Sequence, residues 1–154
     1  MNSWLPWILP VVILLTVGVV MIWQVEDWSR DLTQNHARTD AAAADARLHP
    51  IESPLPPGEL AAAVRSAAAT LPRWQFVDER HQGNTLELHF VRTTPLFRFR
   101  DDVRVRIATT AAGQRVEAES QSRVGKGDLG QNPRNLRELF EALRQQLSAS
   151  AAGE

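Results

Sequence analysis

Hydrophobic and polar positions divide the chain into three stretches of different character. Residues 5–23 are almost uniformly apolar, and no charged side chain occurs before Glu26. Residues 26–57 lose this pattern, and residues 58–147 show short periodic runs of apolar side chains. We predict four segments: a transmembrane anchor over 1–25, a polar Ala- and Pro-rich tether over 26–57, a soluble α+β domain over 58–147 and a disordered tail over 148–154.

The apolar stretch is long enough to cross a bilayer as a helix. Its 19 residues reach roughly 28 Å at about 1.5 Å per residue, close to a hydrocarbon core of about 30 Å. Tryptophans, which favour the headgroup level, flank it at Trp4, Trp7, Trp23 and Trp28. A cleaved secretory signal is the alternative, but no Lys or Arg precedes the stretch. We expect a single-pass anchor that contacts the lipid bilayer through residues 5–23.

The periodic runs of the domain predict the order helix, four strands, helix. Leu60, Val64 and Leu71 recur at helical spacing. Alternating apolar and polar residues predict strands over 74–79, 85–92, 96–109 and 115–122. In the last helix Asn132 suits the cap and Pro133 the first turn, ahead of an apolar stripe of Leu136, Leu139, Phe140, Leu143 and Leu147. The fold class is therefore α+β, an antiparallel four-stranded sheet flanked by two helices.

The third predicted strand separates apolar from charged side chains. Its alternation places Phe97, Phe99, Val103, Val105 and Ile107 on one face and Arg98, Arg100, Asp102, Arg104 and Arg106 on the other. A hairpin with the next strand can set Arg104 near Glu119 and Arg106 near Glu117, which neutralises the basic face.

Charge and composition exclude several classes of function. Lys plus Arg number 17 and Asp plus Glu 18, so we expect no nucleic-acid partner. The absence of cysteine excludes disulfides and thiolate chemistry. His36 and His49 lie in the tether, and His81 and His89 are eight residues apart with no obvious third ligand. For each of the four we expect a solvated role. We expect no cofactor and assign no catalytic or metal-binding residue.

Residues 120–133, SQSRVGKGDLGQNP, concentrate glycine, charge and amide groups between the last strand and the last helix. Gly125, Gly127 and Gly130 formally match the dinucleotide pattern G-x-G-x-x-G. Such a fold needs a further parallel strand, yet only 24 residues follow Gly130. A phosphate-binding P-loop is excluded because Gly127, and no Ser or Thr, follows Lys126.

Two motifs together resemble the family called domain of unknown function 1499. They are TPLFRFRDDVRVRI at 94–107 and SQSRVGKGDLGQN at 120–132. The resemblance covers roughly residues 50–147 and implies no activity. It implies signature positions at Asp101, Asp102, Ser120, Ser122, Arg123, Gly125, Asp128, Gly130 and Asn132. Glu119 and Asn135 stand where the family often has Arg, which puts in doubt an anion site built on those arginines.

Three roles stay open for these residues. As a scaffold, Asp128 and Asn132 bind turn amides, the glycines supply positive φ, and Arg123 pairs with Asp101 or Asp102. As an anion site, Arg123, Lys126 and Arg134 act with the helix N-terminus. As a cation or acid–base site, Asp128 joins one of the adjacent aspartates, since Asp101 and Asp102 point to opposite faces of a strand.

These observations favour a binding or accessory domain tethered to a membrane. Its expected partner is an anionic small ligand, an envelope component or a membrane protein. We expect a bacterial inner membrane with the C-terminal domain on the outer, periplasmic side. The alternative is a metal-dependent or acid–base enzyme of hydrolase type that uses Asp101, Asp102, Asp128 and Arg123.

Overall fold

A computed structural model of the protein describes residues 5–24, 34–125, 127–128 and 130–152. The first element is a 20-residue helix, α1 (Leu5–Gln24). None of the helices in these ranges meets the length and hydropathy that crossing a membrane requires. The first part of the predicted tether, residues 26–33, lies outside the described residues.

The domain is built on one antiparallel sheet. Its strands are β1 (His36–Arg38), β2 (Ile51–Ser53), β3 (Trp74–Gln82), β4 (Thr85–Thr93), β5 (Arg100–Thr110) and β6 (Gly113–Ser122). The order across the sheet is β1, β6, β5, β4, β3, and β2 also pairs with β6. The two short strands follow one another along the outer edge of β6, opposite residues 119–121 and 114–116 respectively.

The α+β class and the antiparallel sheet are confirmed, but the number of strands was wrong. The sheet has six strands because the segment predicted as a tether contributes β1 and β2. Ile51 and Ser53 of β2 are buried, and a 3-10 turn (Ala46–Leu48) lies between the two strands. Three-residue strands are too short to show alternation, and their pairing partners are more than sixty residues away.

Two helices pack on one face of the sheet. They are α2 (Pro57–Thr70) and α3 (Gln131–Ala152). The apolar faces predicted for these two helices pack against the odd-numbered residues of β5 and form the core. Its fully buried side chains include Leu60, Val64, Leu88, Phe90, Val103, Val105, Ile107, Val116, Leu136, Leu139, Phe140 and Leu143. Helix α3 continues to Ala152, so the tail predicted from residue 148 is helical up to that residue.

Strand β5 begins at Arg100, four residues later than predicted. Residues 95–97 form a turn, and Arg98 has a φ of 54°, which breaks the extended backbone. Phe97 and Phe99 are therefore exposed and stack on each other, with ring centroids 5.5 Å apart. The core-facing position before Val103 is taken by Asp101, which is 1% exposed.

The opposite face of the sheet, here called the open face, presents charged side chains in register. The predicted hairpin register is confirmed: Arg104 lies opposite Glu119 and Arg106 opposite Glu117. On the other flank of β5, Arg106 lies opposite Glu87 of β4. Basic and acidic side chains therefore alternate across neighbouring strands.

Candidate functional site

The loop before α3 is held by the carboxylate of Asp128. This carboxylate accepts hydrogen bonds from the backbone N–H groups of Gly130 (2.9 Å) and Asn132 (2.8 Å). Asp128 thus caps the helix, and the prediction that Asn132 does so was wrong, because α3 begins one residue earlier. A carboxylate already occupies the position at which a helix N-terminus attracts an anion.

Behind the cap lies a network of five side chains, here called the buried polar network: Asp101, Ser120, Ser122, Asn132 and Asn135. Each is at most 8% exposed. The hydroxyl of Ser120 donates to Oδ1 of Asn132 (2.6 Å), and the hydroxyl of Ser122 donates to Oδ1 of Asp101 (2.7 Å). These bonds connect the adjacent strands β5 and β6 with the first turn of α3.

The two asparagines complete the network with their amide donors. Nδ2 of Asn135 donates to Oδ2 of Asp101 (2.9 Å) and to Oγ of Ser120 (3.1 Å). Nδ2 of Asn132 donates to Oγ of Ser122 (3.0 Å). Both carboxylate oxygens of Asp101 thereby accept a hydrogen bond, as a buried charge requires.

Asn35 joins the network to the segment that leads into the domain. Its carbonyl oxygen accepts from Nδ2 of Asn132 (2.7 Å) and from the backbone N–H of Ser122 (2.9 Å). Its own Nδ2 donates to the carbonyl of Gly125 (3.0 Å). Sequence reasoning missed Asn35, since nothing near it marks a contact with a residue 97 positions away.

Asp102 points to the open face and forms a separate ion pair. Arg123 contacts it through Nε (2.8 Å) and Nη2 (2.7 Å), and Nε2 of His89 lies 2.7 Å from Oδ1. The hydrogen bonds from Arg123, and then those with His89, lower the pKa of Asp102 to about 2, against the opposing effect of burial. The solvated role predicted for His89 was wrong, because its side chain is 19% exposed and bound to Asp102.

The three aspartates of the motif do not form a common site. Asp101 lies in the buried polar network, Asp102 on the open face and Asp128 at the helix cap. In the described ranges no group of three or more His, Asp or Glu side chains is placed to hold a metal ion. The proposed acid–base or metal cluster of Asp101, Asp102, Asp128 and Arg123 therefore has no geometric support.

The loop glycines adopt the backbone that was expected of them. Gly125 has a φ of 97° and Gly130 a φ of 72°. Both values lie in the region that side chains disfavour. Of the other two members of the predicted anion site, Arg134 lies in the first turn of α3, and Lys126 lies outside the described residues.

A second candidate site is a cleft in the open face, which sequence reasoning did not single out. Its volume is about 350 Å³. Charged side chains of β1, β4, β5 and β6 line it, among them Arg38, Glu87, Arg104, Arg106, Glu117 and Glu119. Their alternation in the sequence was visible, but the pairing of β1 with β6, which brings Arg38 to the cleft, was not.

A model of the family described as protein of unknown function (DUF1499) matches residues 28–143, well over half of the chain. The chain belongs to this family. The DUF1499 match begins before Asn35 and includes β1 and β2, in agreement with their place in the sheet. A search of the curated proteins finds no match. The signature positions inferred from the resemblance stay a prediction.

We expect Asn132→Ala to destabilise the domain strongly. The change removes a hydrogen-bond partner from Ser120, from Ser122 and from the carbonyl of Asn35. Each buried group that is left unsatisfied lowers the free energy of unfolding by about 1–3 kcal/mol. Urea unfolding of the full chain in mild detergent, followed by circular dichroism, measures the loss. Gln145→Ala, which removes an exposed amide from the same helix, is the control. Equal stability of the two variants would contradict a structural role for Asn132.

The Asp102 ion pair makes stability depend on pH in the acid range. Because the folded-state pKa of about 2 lies below the ordinary value of about 4, the pair stabilises the fold above pH 4. This stabilisation is lost as the pH falls towards 2. Asp102→Asn is expected to cost about 1–2 kcal/mol at pH 7, after allowance for solvent at Arg123, which is 42% exposed.

The measurement is the urea midpoint of the wild type and of Asp102→Asn at pH 7 and near pH 2. The difference between them should shrink at the lower pH. Asp78→Asn, on the same face and paired with the more exposed Arg80, should change the midpoint little at either pH. If the difference in urea midpoint between the wild type and Asp102→Asn were the same at both pH values, the ion pair could not be its cause.

Proposed function

We propose that this protein is a membrane-tethered binding domain whose open face receives a polypeptide segment that carries charges of both signs. The cleft in that face is the observation that carries the proposal. It places basic and acidic side chains in alternation, so a purely anionic ligand would meet the carboxylates of Glu87, Glu117 and Glu119 as well as the arginines.

The ion pairs around the cleft are weak enough to be exchanged for bonds to a partner. Arg104 lies 3.5 Å from Glu119, and Arg106 lies 3.2 Å from Glu87. Arg104 and Arg106 are 39% and 55% exposed, and pairs of this kind contribute only about 0–1 kcal/mol. Arg38 has no ion-pair partner among the described residues, so it offers a free cation at the rim.

The membrane tether is the second part of the proposal. The sequence supports an anchor formed by residues 5–23, because this stretch is almost uniformly apolar and no charged side chain precedes Glu26. We place it in a bacterial inner membrane with the domain on the periplasmic side. The partner then lies in the same membrane or in the adjoining envelope.

The anchor and its orientation predict the outcome of two fractionation steps. The full chain should stay with the membrane pellet after alkaline extraction, since an apolar span does not depend on charge. Protease added to spheroplasts should digest the domain while a cytoplasmic marker stays intact. Release at alkaline pH would refute the anchor, whereas protection of the domain until lysis would refute the orientation.

Arg38→Glu should abolish capture of the partner without affecting folding. Arg38 is exposed, and its side chain makes no hydrogen bond or ion pair within the described residues, so its reversal breaks no such bond. Glu141→Lys is the control, because this residue of α3 is also exposed and lies away from the open face. Affinity capture from detergent-solubilised membranes, with quantitative mass spectrometry, compares the three proteins.

Proteins captured by the wild type and by Glu141→Lys should be lost with Arg38→Glu. The double variant Arg38→Glu/Glu119→Lys restores the charge balance of the rim with the signs exchanged, and it should not restore capture. Identical protein sets for the wild type and Arg38→Glu would refute binding at this face.

A further inference from the structure

One end of the sheet, here called the proximal end, gathers the strand ends closest to the N-terminal segment. β1 begins there at His36, next to the last residues of β6. Arg100 of β5 lies beside Thr93 of β4, and Trp74 of β3 lies opposite Arg92. The chain therefore leads from α1 into the domain at this end.

The proximal end exposes large apolar side chains. Leu96, Phe97 and Phe99 of the loop between β4 and β5 are 66%, 57% and 46% exposed. Val124, which follows the end of β6, is 60% exposed. Apolar side chains that are clustered and exposed mark a surface for interaction.

Exposed positive charge surrounds these side chains. Arg73, Arg98 and Arg100 are exposed, and none has a side-chain ion pair or hydrogen bond within the described part of the chain. The aspartates nearby are already bound, Asp101 in the buried polar network and Asp102 to Arg123. This contrasts with Arg104 and Arg106 of the open face, which pair with glutamates.

A cavity of about 480 Å³ opens between two of the arginines. Arg73, Arg98, Thr93, Thr94 and Trp74 line it, so guanidinium and hydroxyl donors surround it. Arg73 and Arg98 have φ values of 65° and 54°. Non-glycine residues adopt this left-handed backbone at a cost that is commonly met at ligand-binding positions.

We propose that the proximal end docks on a bilayer that contains anionic phospholipid. Arg73 and Arg98 hold lipid phosphates at the cavity, while Leu96, Phe97 and Phe99 enter the interfacial layer. The proposal rests on the proposed anchor. Residues 25–35 connect α1 to the sheet and span at most about 36–40 Å when fully extended, so this end cannot lie farther than that from the end of the anchor.

A single fluorescent label tests the docking. The chain has no cysteine, so Leu96→Cys can carry the only nitrobenzoxadiazole label on the full chain reconstituted in vesicles. The control is Ala111→Cys, an exposed residue in the turn at the far end of β5. Vesicles of phosphatidylcholine are compared with vesicles that also contain phosphatidylglycerol, and lipids with spin-labelled acyl chains act as quenchers.

The label at Leu96 should shift its emission to the blue and be quenched in the anionic vesicles, and both effects should decline with added salt. Arg73→Gln/Arg98→Gln should remove most of the quenching, whereas Arg73→Lys/Arg98→Lys should keep most of it. The label at Ala111 should stay exposed to water. A label at Leu96 that is as exposed as that at Ala111 would overturn the proposal.

Flotation of the same vesicles after an alkaline wash separates this proposal from the anchor. If the chain floats with the vesicles but the Leu96 label stays exposed to water, the docking proposal is overturned and the anchor is not. A chain that does not float with the vesicles overturns both. Quenching that is equal in the two kinds of vesicle overturns the role of anionic lipid.

Discussion

The burial of one carboxylate, Asp101, governs how the domain is assembled. A charge removed from water must find hydrogen-bond donors, because leaving it unsatisfied costs several kcal/mol. Its donors come from Ser122 on β6 and Asn135 on α3. Through Ser120 and Asn132 the same network reaches Asn35. The position of α3 on the sheet and the attachment of β1 are thus set by hydrogen bonds that have direction, in addition to apolar packing.

Adjacent positions on β5 divide the motif into two parts with different roles. Asp101 faces the helices and Asp102 faces outward, because successive strand residues point to opposite faces. The inner part organises the fold, and the outer part is an ion pair with Arg123 and His89. Asp101 and Asp102 are thus both held by side chains of the fold. The two surfaces proposed for binding are the cleft of the open face and the proximal end.

Sequence periodicity predicted what depends on local burial and missed what depends on distant contacts. The apolar stripe from Leu136 to Leu143 was predicted because its residues repeat at the period of a helix. The position of Arg104 opposite Glu119 was predicted because charged residues alternate along both strands. Alternation placed Phe97 and Phe99 on the same face as Val103. The left-handed backbone of Arg98 breaks the strand before that point, and both rings are exposed. The strands β1 and β2 carry no signal of their own, since β6 provides their pairing.

The two surfaces differ in how their arginines are neutralised, and this suggests a division of labour. On the open face each cross-strand glutamate offsets an arginine, which leaves little long-range field, so recognition there depends on contact. At the proximal end Arg73, Arg98 and Arg100 are unpaired within the described residues, and their combined field attracts an anionic surface from a distance. Arg106, at the cleft, is six residues along β5 from Arg100, about 20 Å at the rise of a strand. A domain held by its proximal end would therefore leave the cleft clear of the bilayer, so that both surfaces can be occupied together.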